Sequence, residues 1–196
     1  MSKKIGMGIV SLILAFTLSA CASNDEETKS DKNTNTETNS STEESTEMDH
    51  SEMNHSGSGE VPEGLKEAEN PTYKVGSQAN LETDHMEGMK GAEATIVGAY
   101  ETTAYVVSYT PTTGGEKVEN HKWVIHEEIE NAGDEKFEPG TEVVLNADHM
   151  EGMKGATAEI DSAEETTVYM VDYTPTNGGE KVKNHKWVTE SELSSK

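Results

Sequence analysis

Residues 84–92 read DHMEGMKGA, and residues 148–156 read DHMEGMKGA again. The identical stretch lies inside a longer repeat, in which residues 73–129 (copy one) align without a gap with residues 137–193 (copy two) and match at 34 of 57 positions. Self-similarity at a fixed spacing is the mark of a structural unit used twice. The chain therefore carries two copies of one small fold, and the architecture depends on how each copy folds.

Each copy has the pattern of short β-strands. Residues 94–100, 103–110 and 117–125 are rich in β-branched and aromatic side chains, which favour strands. Tyrosine and valine occupy alternate positions in residues 105–109, as they do in the second copy, so they would share one face of a strand. The Pro-Thr-Thr-Gly-Gly sequence at 111–115 predicts a turn.

These patterns predict an all-β fold: a tandem pair of small SH3-like β-barrels that follow a disordered acidic tether. A repeat of this size is too small for a sandwich with a large core, and closure into a barrel removes exposed edges. The predicted boundaries are a signal peptide at 1–20, a tether at 21–70, and β repeats at 71–130 and 131–196. Because the linker between the copies is short, a single intertwined β-domain is the alternative.

The N-terminus predicts a lipid-anchored surface protein. Lys3 and Lys4 precede an apolar run at 9–18 that is typical of a signal peptide. Leu-Ser-Ala-Cys at 18–21 resembles a bacterial lipobox, so Cys21 would carry the lipid and hold the chain on the extracellular face of the cell membrane; ordinary secretion is the alternative. Cys21 is the only cysteine, which excludes an internal disulfide and a cysteine-based metal site.

The segment from 22 to 60 consists almost entirely of Ser, Thr, Asn, Asp and Glu. It cannot bury enough apolar surface to fold by itself, so we expect a disordered tether. The whole chain has 38 acidic and 15 basic residues, a formal net charge of −23. Such a charge argues against nucleic acid as a partner and is compatible with cations.

Histidine and methionine form the candidate site of each copy. We expect four side chains in copy one to converge on one ion, and the four equivalent side chains in copy two to do the same. The predicted ligands are His85, Met86, Met89 and His121, then His149, Met150, Met153 and His185. Thioethers beside imidazoles are the donors that suit a soft ion such as Cu(I), while imidazole with nearby carboxylates can hold Cu(II).

Structural roles for the same residues remain open. Trp123 and Trp187 would shield the ions, but a small barrel also needs large side chains in its core. Met86 and Met150 could fill irregular gaps in the core, and His121 and His185 could simply hydrogen-bond to a neighbouring carbonyl. Asp84 could cap a turn.

The tether contains a second group of the same residue types. Met48, His50, Met53 and His55 lie in a segment that has no predicted core for a methionine to fill. A tract of this composition indicates weak metal collection. Its Met-Asp-His-Ser-x-Met string is similar to segments of bacterial copper-resistance proteins.

The lipobox, the acidic tether and the tandem His-Met-Glu-Gly-Met-Lys-Gly-Ala and Asn-His-Lys-Trp-Val repeats together resemble the YdhK-like family of Gram-positive surface lipoproteins, which includes the copper-binding lipoprotein CopL. The resemblance covers residues 71–193. It implies copper binding without catalysis, since some members are associated with copper-efflux genes.

The sequence thus predicts an extracellular, membrane-anchored lipoprotein that buffers or sequesters copper in copper resistance. Its partners would be copper ions, the membrane through the lipid anchor, and a copper exporter. The alternative is a cell-wall or peptide-binding surface module whose aromatic faces form a groove. We do not expect an enzyme, because no nucleophile constellation or spaced carboxylate pair is present in the sequence.

Overall fold

The structure, a computed structural model, describes residues 56–196. Its eight strands are β1 (Lys66–Glu67), β2 (Gln78–Leu81), β3 (Glu93–Tyr109), β4 (Val118–Ile125), β5 (Glu142–Val144), β6 (Thr157–Tyr173), β7 (Val182–Thr189) and β8 (Leu193–Ser195). Short 3₁₀ turns follow β4 at His126–Glu128 and β7 at Glu190–Glu192. Within residues 56–196, no helix is long and apolar enough to cross a membrane.

The strands form one eight-stranded sheet built around a long antiparallel pair. β3 and β6 run side by side from the Ala94–Tyr173 pair to the Tyr109–Ala158 pair. The path through the sheet is β5-β6-β3-β2-β8, while β1 and β4 also pair with β3, and β7 pairs with β6. Register shifts interrupt the β3–β6 ladder at two places, and such bulges bend and twist a strand.

The antiparallel pairing exchanges the halves of the two copies. The beginning of β3, from copy one, lies against the end of β6, from copy two. One hydrophobic core therefore combines Leu81 and Ile96 of copy one with Val188 and Leu193 of copy two. The second core is built in the same way from the end of β3 and the beginning of β6.

A third hydrophobic cluster is built around the two tryptophans. Trp123 and Trp187 pack there with Tyr100, Val168 and Met170. The two indoles are 7% and 0% exposed, so both are core residues, as the structural interpretation of the tryptophans predicted. The cluster joins β4 of one copy to β7 of the other.

The predicted all-β fold class is confirmed. The two copies share one open sheet, which is the single intertwined β-domain that the short linker allowed and is compatible with SH3-like halves. Residues 94–100 and 103–110, predicted as two strands, form the single strand β3. The predicted apolar face of Tyr105, Val107 and Tyr109 lies in the second core, as expected.

Part of the segment assigned to the tether is ordered. Lys66–Glu67, assigned to the tether at 21–70, form β1 and pair with β3. The signal peptide, Cys21 and the methionines and histidines at 48–55 lie outside the described residues.

Candidate metal centres

The loop that carries each His-Met-Glu-Gly-Met motif is held by a turn of the other copy. In copy one, Gly88 and Gly91 have φ values of 73° and 77°, a region that glycine adopts without strain. The backbone N–H of Thr176 donates to the carbonyl of Gly88 at 2.8 Å. A Cβ on Gly88 would lie 2.4 Å from the Asn177 side chain, so the loop and the turn are in close contact. This contact places His85 and Met86 against copy two.

A carboxylate of copy two orients the imidazole of copy one. His85 Nε2 lies 2.7 Å from Glu192 Oε1. Trp123 Nε1 donates to the other carboxylate oxygen at 2.8 Å, and the hydroxyl of Thr83 donates to Glu192 Oε1 at 3.1 Å. Because a carboxylate only accepts, Nε2 carries the proton of the neutral ring and Nδ1 keeps its lone pair.

The same region brings a thioether and a second imidazole together. The Tyr173 hydroxyl donates to Met86 Sδ at 4.0 Å. The ring of the buried His185 meets the ring of Tyr173 edge-on, with centroids 5.8 Å apart. We call this group site A; its members are His85, Met86, Tyr173, His185, Glu192 and Trp123.

Site B repeats the arrangement with the copies exchanged. His149 Nε2 lies 2.8 Å from Glu128 Oε1, and Trp187 Nε1 donates to Glu128 Oε2 at 3.0 Å. The Tyr109 hydroxyl donates to Met150 Sδ at 4.0 Å. The members of site B are His149, Met150, Tyr109, His121, Glu128 and Trp187.

The grouping within each copy that the sequence predicted requires correction. The ring of His121 lies 6.2 Å from the ring of His149, centroid to centroid, and 5.9 Å from the ring of Tyr109. His121 of copy one therefore belongs with His149 and Met150 of copy two. Strand exchange is the cause, because β4 follows the end of β3, which lies beside copy two's half of the sheet.

Two ring nitrogens in these sites are buried without a hydrogen-bond partner. They are Nδ1 of His85 in site A and Nε2 of His121 in site B. Buried polar atoms are nearly always satisfied in folded proteins, because an unmade hydrogen bond costs free energy. A ligand bound to either nitrogen would therefore remove the free-energy cost of its missing hydrogen bond.

The electrostatics of site B favour a neutral His121. Burial, together with the positive charges that His149 and His85 would carry, lowers the pKa of His121 to about 4. The ring is thus deprotonated at neutral pH, the state in which imidazole binds a metal. Because His85 lies in site A, its effect shows that the charges of the two sites influence each other.

Both carboxylates are ionised despite their burial. Burial alone would raise the pKa of Glu192, but hydrogen bonds from His85, Thr189 and Trp123 outweigh it and lower the pKa to about 2. The pKa of Glu128 is also lowered, because the charge and hydrogen bond of His149 outweigh desolvation. Each ionised carboxylate therefore accepts hydrogen bonds from the imidazole and the indole beside it and fixes their orientation.

The four methionines that were predicted as ligands differ in burial. Met89 and Met153 are fully buried in the first and second cores, as expected for flexible side chains that fill gaps. Met86 is half-buried against the first core, and Met150 is 37% exposed. Met86 and Met150 are thus the thioethers beside the histidines. Met89 and Met153 instead anchor the two motif loops in the cores.

Sequence reasoning missed the carboxylates and the tyrosines of both sites. Glu128 and Glu192 occupy equivalent positions in the two copies and are identical, but they are two among many acidic residues. Tyr109 and Tyr173 were predicted on the apolar face of a strand, and both are 1% exposed. Their burial also means that these aromatic faces do not form the open groove that a peptide-binding module would use.

The described residues contain no cluster typical of harder metals. Among residues 56–196, no three histidine, cysteine, aspartate or glutamate side chains are grouped so that they could hold one ion. The thioethers of Met86 and Met150 are the further candidate donors beside the imidazoles.

Comparison with known proteins gives the family. The family model described as "Protein of unknown function (DUF1541)" matches residues 75–126 and 139–190. The chain belongs to the DUF1541 family. Both matches fall within the repeats, so the family unit is the repeat itself. The uncharacterized protein YdhK of Bacillus subtilis strain 168 is 63% identical over 193 residues, which cover 98% of this chain and 90% of YdhK.

Solved structures of the DUF1541 family support the fold. The crystal structure of YdhK from the same organism is 72% identical, with a TM-score of 0.72, and covers 75% of this chain and 100% of that chain. The solution structure of the C-terminal domain of YdhK is 73% identical, with a TM-score of 0.60 over 63% of this chain and 93% of that chain.

Proposed function

We propose that this DUF1541 protein is an extracellular, membrane-anchored copper-binding protein that holds Cu(I) at site A and site B and so buffers or sequesters copper. The observation that carries the proposal is the pair of buried, partnerless imidazole nitrogens, His85 Nδ1 and His121 Nε2. Each lies in a site that also holds a methionine sulfur.

The carboxylates support a metal role for the histidines. A histidine that binds a metal commonly donates its other ring N–H to a carboxylate, which fixes the tautomer and the ring orientation. Glu192 holds His85 in this way and Glu128 holds His149. In both rings the bonded nitrogen is Nε2, so the nitrogen offered to an ion is Nδ1.

The donor set supports a soft ion. In site A the proposed ligands are His85, His185 and Met86, and in site B they are His149, His121 and Met150. Imidazole with thioether favours Cu(I) over hard cations such as Mg²⁺ or Ca²⁺, which prefer oxygen. Met89 and Met153 stay secondary candidates because they are packed in the cores. Trp123 and Trp187 would exclude water from the ions.

The cellular role follows from the predicted lipid anchor. Cys21 would hold the sites at the outer face of the membrane, where captured copper could be stored or passed to an exporter. Two or more acyl chains give stable attachment. Changing Cys21→Ala should release the protein into the medium, and retention of the variant in the membrane fraction would contradict the anchor.

A titration tests copper binding directly. The full chain is titrated with Cu(I) in the presence of a competing Cu(I) chelator, and we expect two ions to be held tightly by the folded part. The variant His85→Gln with His121→Gln removes the nitrogen that has no partner in each site. It should lose both tight ions while retaining its circular dichroism spectrum. Unchanged binding by that folded variant would contradict the proposed sites.

A further inference from the structure

The two copies differ in what lies beside the middle of their long strands. In copy one, β1 pairs with β3 on the side away from β6, with Lys66 opposite Glu101. The N–H of Ala68 donates to the carbonyl of Ala99 at 2.9 Å. An extended segment therefore covers the outer edge of β3 at residues 99–101.

The equivalent edge in copy two is open. Residues 163–165 of β6 occupy the positions of residues 99–101 in the repeat. On the side away from β3, β5 and the residues just before it cover β6 as far as Ile160, and β7 covers it from Val168. Within residues 56–196, no strand pairs with the outer side of the stretch between them, residues 161–167.

The backbone of this open edge is oriented for pairing. Ala99 and Ala163 have equivalent partners in the β3–β6 ladder, and the carbonyl of Ala99 points outward to Ala68. The direction of the backbone groups alternates along an antiparallel strand, so Ala163 and Glu165 present their N–H and C=O groups away from β3. Such a row of groups is a template for pairing with another segment.

The side chains of the open edge are acidic. Asp161, Glu164 and Glu165 are exposed, whereas copy one has Val97 and Tyr100 at the positions of the first two. Charged side chains on an edge discourage pairing with apolar strands. Carboxylates in particular discourage acidic strands and attract a strand that carries lysine or arginine.

The open edge borders an acidic cleft of about 770 Å³. Lys136 pairs with Glu165 there at 3.0 Å, an exposed ion pair of a kind that contributes little stability. A strand added along the edge would place cationic side chains beside this cleft. The described residues that line it include five carboxylates and two lysines, namely Glu63, Glu101, Glu127, Asp134 and Glu165 with Lys66 and Lys136.

A second molecule of this chain does not fit the open edge. Two such edges paired antiparallel about Ala163 would place Asp161 of one molecule opposite Glu165 of the other. Like charges directly opposite each other destabilise a strand pair. The edge therefore favours a partner of opposite charge.

We propose that the open edge, residues 161–165 of β6, binds an extended basic segment of a partner protein as an added β-strand. Copy one shows the kind of occupant, because β1 is extended and places a lysine opposite Glu101, the equivalent of Glu165. Backbone hydrogen bonds to Ala163 and Glu165 supply the affinity, and the carboxylates select lysine or arginine. This interaction does not depend on the copper sites.

A pair of synthetic peptides tests the open edge. The basic peptide has the sequence of residues 62–71, which cover copy one, with lysine in place of its three glutamates; the acidic peptide keeps the glutamates. The ¹⁵N-labelled, metal-free full chain is titrated with each peptide. We expect the basic peptide to bind at least about tenfold more tightly, with a smaller difference at about 1 M salt. It should slow hydrogen exchange at the amides of Ala163 and Glu165.

Two variants at one position separate backbone pairing from charge. Glu165→Pro and Glu165→Ala both remove the carboxylate, but only proline also removes the outward N–H. An edge strand tolerates proline where its N–H faces solvent. We expect Glu165→Pro to bind the basic peptide about tenfold more weakly than Glu165→Ala. The amides of Ala99 and Glu101 are the internal control and should not change, because β1 already covers them.

Each outcome decides the proposal. If neither peptide binds, or if the folded proline and alanine variants bind the basic peptide equally, the proposal is wrong and the carboxylates only protect the edge from pairing. Protection of the same amides by rising protein concentration alone would identify a second molecule as the occupant and would also overturn it. If Glu165→Pro fails to fold by circular dichroism, hydrogen exchange in the parent chain decides.

Discussion

Site A and site B share their residue types but not their surroundings. The Glu128 side chain of site B is 6% exposed, and the Glu192 side chain of site A is 13% exposed. The thioethers show the opposite order, since Met150 of site B is 37% exposed and Met86 of site A is half-buried. An identical motif of nine residues therefore lies in two sites whose carboxylate and thioether side chains differ in exposure.

The difference teaches that the neighbours of the motif set its properties. Each motif packs against the opposite copy, and the opposite copies are not identical at the contact. The turn against Gly88 has Asn177, whereas the turn against Gly152 has Thr113 at the equivalent position. Exchange of strands thus gives the duplicated residues unequal surroundings, and the following changes measure the consequences.

Removal of the carboxylates should have the largest effect on stability. Glu128→Ala leaves the ring N–H of His149 and the indole N–H of Trp187 without their acceptor inside the protein. We expect a loss of about 3–5 kcal/mol in the free energy of unfolding, the usual cost of breaking a buried charged pair. Glu192→Ala should cost about 1 kcal/mol less, because Glu192 is more exposed.

Urea denaturation of the full chain measures both variants. Glu116→Ala is the control, since Glu116 is exposed and a surface change should stay within about 0.5 kcal/mol. Equal losses at Glu128 and Glu192 would mean that their difference in burial has no energetic consequence.

His121 should make the stability of the fold depend on pH over a defined range. Its pKa is lowered from 6.5 to about 4 in the folded chain, so above pH 6.5 the ring is neutral whether folded or unfolded. As pH falls from 6.5 towards 4, the unfolded chain takes up a proton that the folded chain does not. Stability therefore decreases over this range, by on the order of 3 kcal/mol.

The measurement is the urea midpoint of the parent and of His121→Gln between pH 7 and pH 4. The variant lacks the titrating ring and should lose this part of the pH dependence. Glu192 contributes a separate decrease at lower pH, from 4.5 to about 2, because its folded pKa is lowered to about 2. A variant as pH-sensitive as the parent would show that His121 is not held neutral.

The fold class was predictable because strands leave a strong local pattern. Alternation placed Tyr105 and Tyr109 on one face, and both lie in the same core. The exchange of halves was not predictable, because the pairing of β3 with β6 connects residues far apart in sequence and has no local signal. Two linked barrels and one shared sheet would bury the same apolar faces, so the local sequence pattern does not distinguish between them.

The sites were predictable only in part, for the same reason. The histidines and methionines stand out as residue types, but the partner of each imidazole comes from the other copy. Glu192 could have been suspected only from its identity with Glu128 at the equivalent position. Conversely, Met89 and Met86 look equivalent in sequence, and only their burial separates a core residue from a candidate ligand.

Leucine substitutions at the two methionines of one site should separate these roles. Met86→Leu keeps the bulk but removes the sulfur that accepts from the Tyr173 hydroxyl. Cu(I) affinity at site A should therefore fall at least about tenfold. Met89→Leu conserves volume in the first core and should cost less than about 1.5 kcal/mol of stability, with a smaller effect on binding.

Competition with a Cu(I) chelator measures affinity, and urea denaturation measures stability. Met170→Leu is the control for the loss of a buried sulfur, because Met170 lies in the third cluster and is not among the proposed ligands. Site B should keep its ion in all three variants. If Met89→Leu weakened site A more than Met86→Leu, the inner sulfur would be the ligand and the assignment made from burial would be wrong.

The smallest expected effect concerns the contact that holds the loop of site A against copy two. Gly88 and Gly91 both have positive φ, so alanine at either position costs about 1 kcal/mol in backbone strain. Only at Gly88 would the new Cβ also meet copy two, at 2.4 Å from Asn177 Oδ1 and 3.0 Å from Pro175 Cβ. Asn177 can rotate away, but the proline ring cannot.

Gly88→Ala should therefore cost about 1 kcal/mol more than Gly91→Ala and should speed hydrogen exchange at the Thr176 amide, which donates to Gly88. Equal costs, with unchanged exchange at Thr176, would show that the loop of site A does not need its contact with the turn of the other copy.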